Sequence, residues 1–262
     1  MKHATHLAAT AATILLLSPF SLFAGGMAHD ENGVVYAPSE AIAKTVLQNA
    51  GEYRRQVALE WLGEELPPSV GRVRIHVELT DADASGQTWA MDNPGRRYHT
   101  LWISGDEQGV TGNVLKHEIT HAVMATQFPE GLPPAIDEGI AGMSDDAKRL
   151  AVRRRILDWF AQTGNWPHLA AVLESPLISA HDQQSYAVAS SLVEYLLTRG
   201  DKNTLLRFAR SGKANGWDEA LRIHYQIGGV AQLESQWKNW AAQQSASQRT
   251  AARDVAQTRP VR

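Results

Sequence analysis

The chain reads as an α+β protein in which a small N-terminal mixed sheet precedes a mostly helical C-terminal half. Three observations point there. Apolar Val73, Ile75, Val77 and Leu79 alternate with polar Arg74, His76 and Glu78, the pattern of a strand with one buried and one wet face. Turn-rich stretches at 81–86 and at Asn93-Pro94-Gly95 set off two further short strands, 87–91 and 98–103. From Thr111 onward the apolar residues recur at helical spacing instead.

The first thirty residues look like a leader. Lys2, His3 and His6 give a short, weakly basic start, and an apolar stretch covers 7–23, densest at Ile14-Leu15-Leu16-Leu17. Pro19 breaks it, and the small residues Ala24-Gly25-Gly26-Met27-Ala28 follow. This order is that of a secretory signal peptide over 1–28, with cleavage after Ala24 or Ala28. An uncleaved anchor is the alternative, but the apolar core is shorter than the ~20 residues a bilayer span needs. The mature protein is therefore expected to be exported, to a periplasm or the medium, with no membrane span.

A first helix opens at Pro38-Ser39, carries Ile42, Val46, Tyr53, Val57 and Trp61 on one stripe, and ends at Gly63 before Pro67-Pro68. On the strand that follows, His76 falls on the wet face, where solvation is its expected role. The next long helix has the apolar stripe Val114, Leu115, Ile119, Ala122 and Val123 and stops near Phe128-Pro129. Further helices are expected over 146–162, 183–199, 201–210, 216–226 and 230–243. The polar stretch 245–262 lacks a hydrophobic period and reads as a disordered tail, leaving 29–244 as the folded domain.

Composition narrows the function classes. With 262 residues, 44% hydrophobic and 20% charged, the chain suits a soluble globular protein of one good-sized domain or at most two small ones. A net charge of -3 gives no electrostatic case for a nucleic-acid partner. The absence of cysteine excludes a disulfide framework, a thiolate metal site and a cysteine nucleophile.

One motif carries chemistry: His117-Glu118-Ile119-Thr120-His121. Residues four apart lie on one helix face, so both imidazoles can be aimed at one metal ion, with Glu118 beside it as a general base. A zinc ion would need a third protein ligand and an open position for water. Downstream, Leu132-Pro133-Pro134-Ala135-Ile136-Asp137-Glu138-Gly139-Ile140-Ala141 turns the chain and starts a helix that can pack against the first. Asp137 is there a ligand, a cap or a solvated group; Glu138 is longer and reaches better. Gly139 and Ala141 are small enough for close helix packing.

These two motifs together resemble the gluzincin metallopeptidases, the group of thermolysin and the aminopeptidase-N-like enzymes. The likeness is strongest to small bacterial peptidase-MA-like proteins, whose second motif runs Leu-Pro-x-Trp-x-x-Glu-Gly-x-Ala. It spans about 85–240, and two departures stand out. Ile136 stands near the usual tryptophan, and the gap from His121 to Glu138 is shorter than in thermolysin. The resemblance implies a zincin-like fold, a Zn2+ cofactor held by His117, His121 and Glu138, and Glu118 as the base. It also implies an edge strand, 87–91 or 99–103, that pairs with substrate backbone. Tyr186, opening a later helix, would by similarity donate to the oxyanion; a core tyrosine is the competing reading, and His181 is a second possible donor.

His99, His168 and His224 have no ligand-like spacing, and Arg153-Arg154-Arg155 reads as a solvated helix face. The expected activity is zinc-dependent hydrolysis of bonds in a peptide or protein substrate. A non-catalytic zinc-containing protein that binds peptides or envelope partners is the alternative, and hydrolysis of a cell-wall amide is a further one.

Overall fold

The structure, a computed structural model, describes residues 25–93 and 96–257. Most of the expected leader, and one part of the turn at Asn93-Pro94-Gly95, lie outside these residues. Strands β1 (Gly26–His29), β2 (Gly33–Ala37), β3 (Val73–Leu79), β4 (Ser85–Asn93) and β5 (Arg96–Gly105) form one sheet in the order β1-β2-β3-β5-β4. The pairs β1·β2 and β4·β5 are antiparallel, whereas β2·β3 and β3·β5 are parallel, so the sheet is mixed.

The parallel β2·β3 pair needs a crossover, and helix α1 (Glu40–Leu62) supplies it. Ser39 caps α1 by accepting from the Ile42 amide, and Gly63 ends it in the left-handed region at φ 81°. Its buried stripe of Ala43, Val46, Ala50, Val57 and Trp61 covers one face of the sheet. Strands β1 and β2 were not expected, because four- and five-residue strands are too short to display a period. Gly26 to Ala28, expected within the leader, belong to β1.

A short helix α2 (Glu107–Thr111), capped by Asp106, leads into α3 (Asn113–Gln127). Helix α3 lies under the same sheet face, with Ile119 touching a core that includes Ile75, Leu101 and Ile103. Each such side chain contributes about 1.5–3 kcal/mol by leaving water, which fixes the rotation of α3 about its axis. Helix α4 (Pro134–Ala141) follows, then a 3-10 turn (Gly142–Ser144) and α5 (Ala147–Thr163), α6 (Leu169–Glu174), α7 (Gln183–Leu197), α8 (Lys202–Asn215), α9 (Trp217–Tyr225) and α10 (Val230–Gln257). In this layer Trp237 is fully buried and its indole nitrogen donates to Ser191 Oγ at 3.1 Å.

Two expectations are corrected. Helix α10 continues through 245–257, where a disordered tail was expected, because Ser245 is buried and Arg249 pairs with Asp158 of α5. His76 is not simply solvated: on the outer sheet face its ring stacks between Tyr36 and Trp102, with centroids 5.1 and 4.1 Å away. Cross-strand register puts the three rings in line. Among the described residues no helix is long and apolar enough to cross a membrane.

Candidate metal centre

Helix α3 presents His117 and His121 on one face, one turn apart, with ring centroids 5.0 Å apart and planes at 72°. His117 is buried and His121 half-buried at the floor of a cleft. Helix α4 starts with Pro134 at its first turn, where a missing amide proton costs nothing. It brings Glu138 to the two histidines: Glu138 Oε2 lies 3.5 Å from His117 Nε2 and 3.7 Å from His121 Nε2. The three residues offer ligand atoms that all lie within 4.8 Å of one another.

The position of Glu138 depends on Gly139. A Cβ there would stand 2.4 Å from Val193 Cγ2 and 2.6 Å from the Ala189 carbonyl oxygen, both on α7. The small residue thus serves contact with α7, whereas the sequence suggested close packing against α3.

Each histidine also faces a carboxylate through its other nitrogen. His117 Nδ1 is 3.2 Å from Asp145 Oδ1, and His121 Nδ1 is 2.9 Å from Asp137 Oδ2. A proton on Nδ1 donated to either carboxylate leaves the Nε2 lone pair directed at Glu138. Of the two candidate third ligands, Asp137 therefore contacts the far nitrogen of His121, and Glu138 is the one that converges with both Nε2 atoms in a group that could hold a metal ion. Asp145 is itself fully buried and held by Arg153, with Arg149 at 3.4 Å.

Arg153 is a further correction. It is buried, pairs with Asp145, donates to Ser190 Oγ at 2.7 Å and lies 5.6 Å from the Tyr186 ring centroid. Of the three consecutive arginines, Arg154 and Arg155 are exposed as expected.

Electrostatics mark this as a place for a cation. Burial alone would push the His121 imidazole down, but Asp137, Glu138 and Glu118 outweigh it and raise the group to about 10. His117 is likewise raised, since Asp145 and Glu138 outweigh its burial. Burial works to raise the Glu138 carboxyl, yet His117, His121 and the Tyr186 hydroxyl hold it low. Once both imidazoles have given up their extra proton, as metal ligands must, four carboxylates (Glu118, Asp137, Glu138 and Asp145) face two guanidiniums here, an excess of two negative charges.

The residues fit a metal ion. Glu138 Oε2 is buried without a hydrogen-bond partner, midway between two imidazole nitrogens. Tetrahedral donors on zinc lie about 3.3 Å apart when bonds are about 2.0–2.1 Å, close to the two separations found.

Glu118 is buried beside the ligands. Its Oε2 accepts from Thr88 Oγ1 of β4 at 2.5 Å. Tyr186, in the first turn of α7, faces the Glu138 carboxylate. Its burial, reinforced by Glu138 and Glu118, pushes the phenol up, so it stays protonated and can donate.

The cluster opens into a cleft of about 950 Å³. Gly86, Thr88 and Trp89 of the edge strand β4 form one wall, Leu177, Ile178 and His181 another, and the histidines and Glu138 the floor. Of the two candidate edge strands, only the segment 87–91 is at the sheet edge; 99–103 is interior. His99 also lines the cleft although its spacing did not recommend it. His168 precedes α6 and His224 lies on α9, neither of them in the cluster. Sequence reasoning missed Asp145, Arg149 and Thr88; the acidic pair Asp145-Asp146 just after the second motif was the available signal for the first. Comparison with protein-family models, with curated proteins and with solved structures found no match to this chain.

Proposed function

We propose that the chain is a zinc metallopeptidase with a gluzincin-type, zincin-like centre. The observation that carries this reading is the convergence of His117 Nε2, His121 Nε2 and Glu138 Oε2 beside Glu118, in a cleft edged by β4. A set of two imidazoles and one carboxylate suits zinc and leaves a fourth position open. The first motif and the Leu132 to Ala141 segment resemble the gluzincins, which adds to the geometric case.

When bound, zinc would supply Lewis acidity towards a carbonyl oxygen and make a water molecule acidic near neutral pH. Glu118, anchored at the cleft floor, takes a proton as water oxygen adds to the peptide carbonyl carbon. The same carboxyl then delivers that proton to the amide nitrogen as the C–N bond breaks. Tyr186 keeps its phenolic proton and donates a hydrogen bond to the oxyanion. Asp137 and Asp145 hold the two imidazoles in one tautomer and orientation. The free edge of β4 can accept an extended peptide by main-chain pairing.

Export through the leader belongs to the same proposal and places the substrate outside the cytoplasm. Metal analysis of the purified protein together with cleavage profiling on mixed peptides tests it. About one zinc per chain and cleavage abolished in Glu118→Gln are expected; bound zinc without cleavage of any peptide would instead support a non-catalytic binding protein.

A further inference from the structure

On β4 the residues facing α3 are Gly86 and Thr88, two apart and therefore on one side of the strand. Both lie against Glu118. At Gly86 a Cβ would lie 2.5 Å from Glu118 Oε1, 2.6 Å from Cγ and 2.8 Å from the carboxyl carbon. The Glu118 side chain thus lies directly on bare backbone. Two residues on, Thr88 Oγ1 stands 2.5 Å from Glu118 Oε2 and 3.2 Å from the Glu118 carbonyl oxygen. A hydroxyl has one proton, and the ionised carboxylate is the stronger acceptor.

Threonine matters here as more than a donor. Its branched Cβ restricts χ1 on a strand, so the hydroxyl is held in place instead of swinging as a serine's would. With Oε2 occupied, Oε1 is the oxygen left to exchange a proton.

Building on the peptidase reading, we propose that Thr88 is a positioning residue: with Gly86 it forms a seat that fixes Glu118 in the orientation its base role requires. The general base would then be aligned by the edge strand that also forms the cleft wall, and not by its own helix alone. Glycine at 86 is required by the space the carboxylate fills, and threonine at 88 by the proton it donates.

The test uses the full-length, zinc-loaded protein and the variants Thr88→Val, Thr88→Ser and Glu118→Gln. Valine keeps the shape of threonine and removes the hydroxyl. Thr88→Val should lower kcat about tenfold to a hundredfold, the effect of one hydrogen bond to a charged group. KM should change less than twofold and zinc content not at all. Thr88→Ser should recover most of the loss in kcat.

A second readout does not depend on turnover. Thermal unfolding of Thr88→Val, Glu118→Gln and the double variant should be non-additive, because the two residues share one contact. A Thr88→Val enzyme with wild-type kcat, or strictly additive shifts in Tm, would overturn the assignment. A wild-type protein that binds zinc and cleaves no peptide would overturn the peptidase reading itself, whatever the unfolding cycle shows.

Discussion

Asp137 Oδ2 stands 2.9 Å from His121 Nδ1, while the next residue, Glu138, reaches the opposite nitrogen of the same ring. Two adjacent acidic residues thus flank one imidazole from both sides, and in the proposed centre one would orient it while the other would share the zinc with it. Replacing Asp137 by Ala should weaken zinc binding about tenfold to a hundredfold, and Asp137→Asn should restore part of it. Competition with a chelator of known affinity measures this; unchanged affinity in Asp137→Ala would show the contact to be idle.

Glu118 lines the cleft but is not one of the three residues whose donor atoms could share a metal ion. Glu118→Gln should keep one zinc per chain and lose hydrolysis by about a hundredfold to ten-thousandfold. Parallel metal analysis and initial-rate measurements check both halves.

Arg153, itself buried, neutralises Asp145 where the carboxylate is closed off from water. Arg153→Met removes the nearest cation from a buried carboxylate, leaving it Arg149 and His117, and should cost about 3 kcal/mol of folding stability, the low end for breaking a buried pair. Denaturant unfolding reads this directly. A loss under about 1 kcal/mol, within the range of an ordinary surface pair, would mean that Asp145 draws its support from elsewhere.

His76, stacked in its aromatic row, titrates below its ordinary range because burial, and then Arg74, disfavour the charged ring. In the unfolded chain it would take up a proton near pH 6.5, earlier on acidification than in the folded protein. Stability should therefore fall as pH drops below about 6.5 and level off beneath the depressed folded value. His76→Phe keeps the stack and removes the proton, so its Tm should depend less on pH across that interval.

Gly139 admits no methyl group against the α7 backbone. Gly139→Ala should destabilise the fold by about 1–3 kcal/mol and loosen zinc through its neighbour Glu138. Tm and chelator competition, measured together, should move in the same direction.

What was legible in the sequence follows from how far each feature depends on local geometry. The pairing of His117 with His121 needs only a helix, so spacing alone exposes it. Glu138 needs a turn and a second helix, and the prolines at 133 and 134 announce both. Asp145 reaches His117 only after a 3-10 turn, and nothing in its neighbourhood reveals that Arg153 folds inward to meet it. A triplet of arginines looks uniform in one dimension, although a helix points successive residues about 100° apart. Thr88 was hidden for a related reason: its partner is thirty residues away, on another element. Strand β2 pairs with β3 across the whole of α1, a relation no short window contains. The extension of α10 was missed because a helix held by one buried serine and one ion pair shows no apolar stripe.

The contact at Gly139 has a mechanical consequence. Where α4 rests on α7 the bare backbone of Gly139 packs against Val193 and the Ala189 carbonyl, so the helices cannot come closer and would lose close packing if they parted. Glu138 rides on one and Tyr186 on the other, and close packing favours their moving together. Any breathing of the cleft must then come from its walls, from β4 on one side or the 177–181 segment on the other. The distance from carboxylate to phenol would stay constant while the entrance widens or narrows around it.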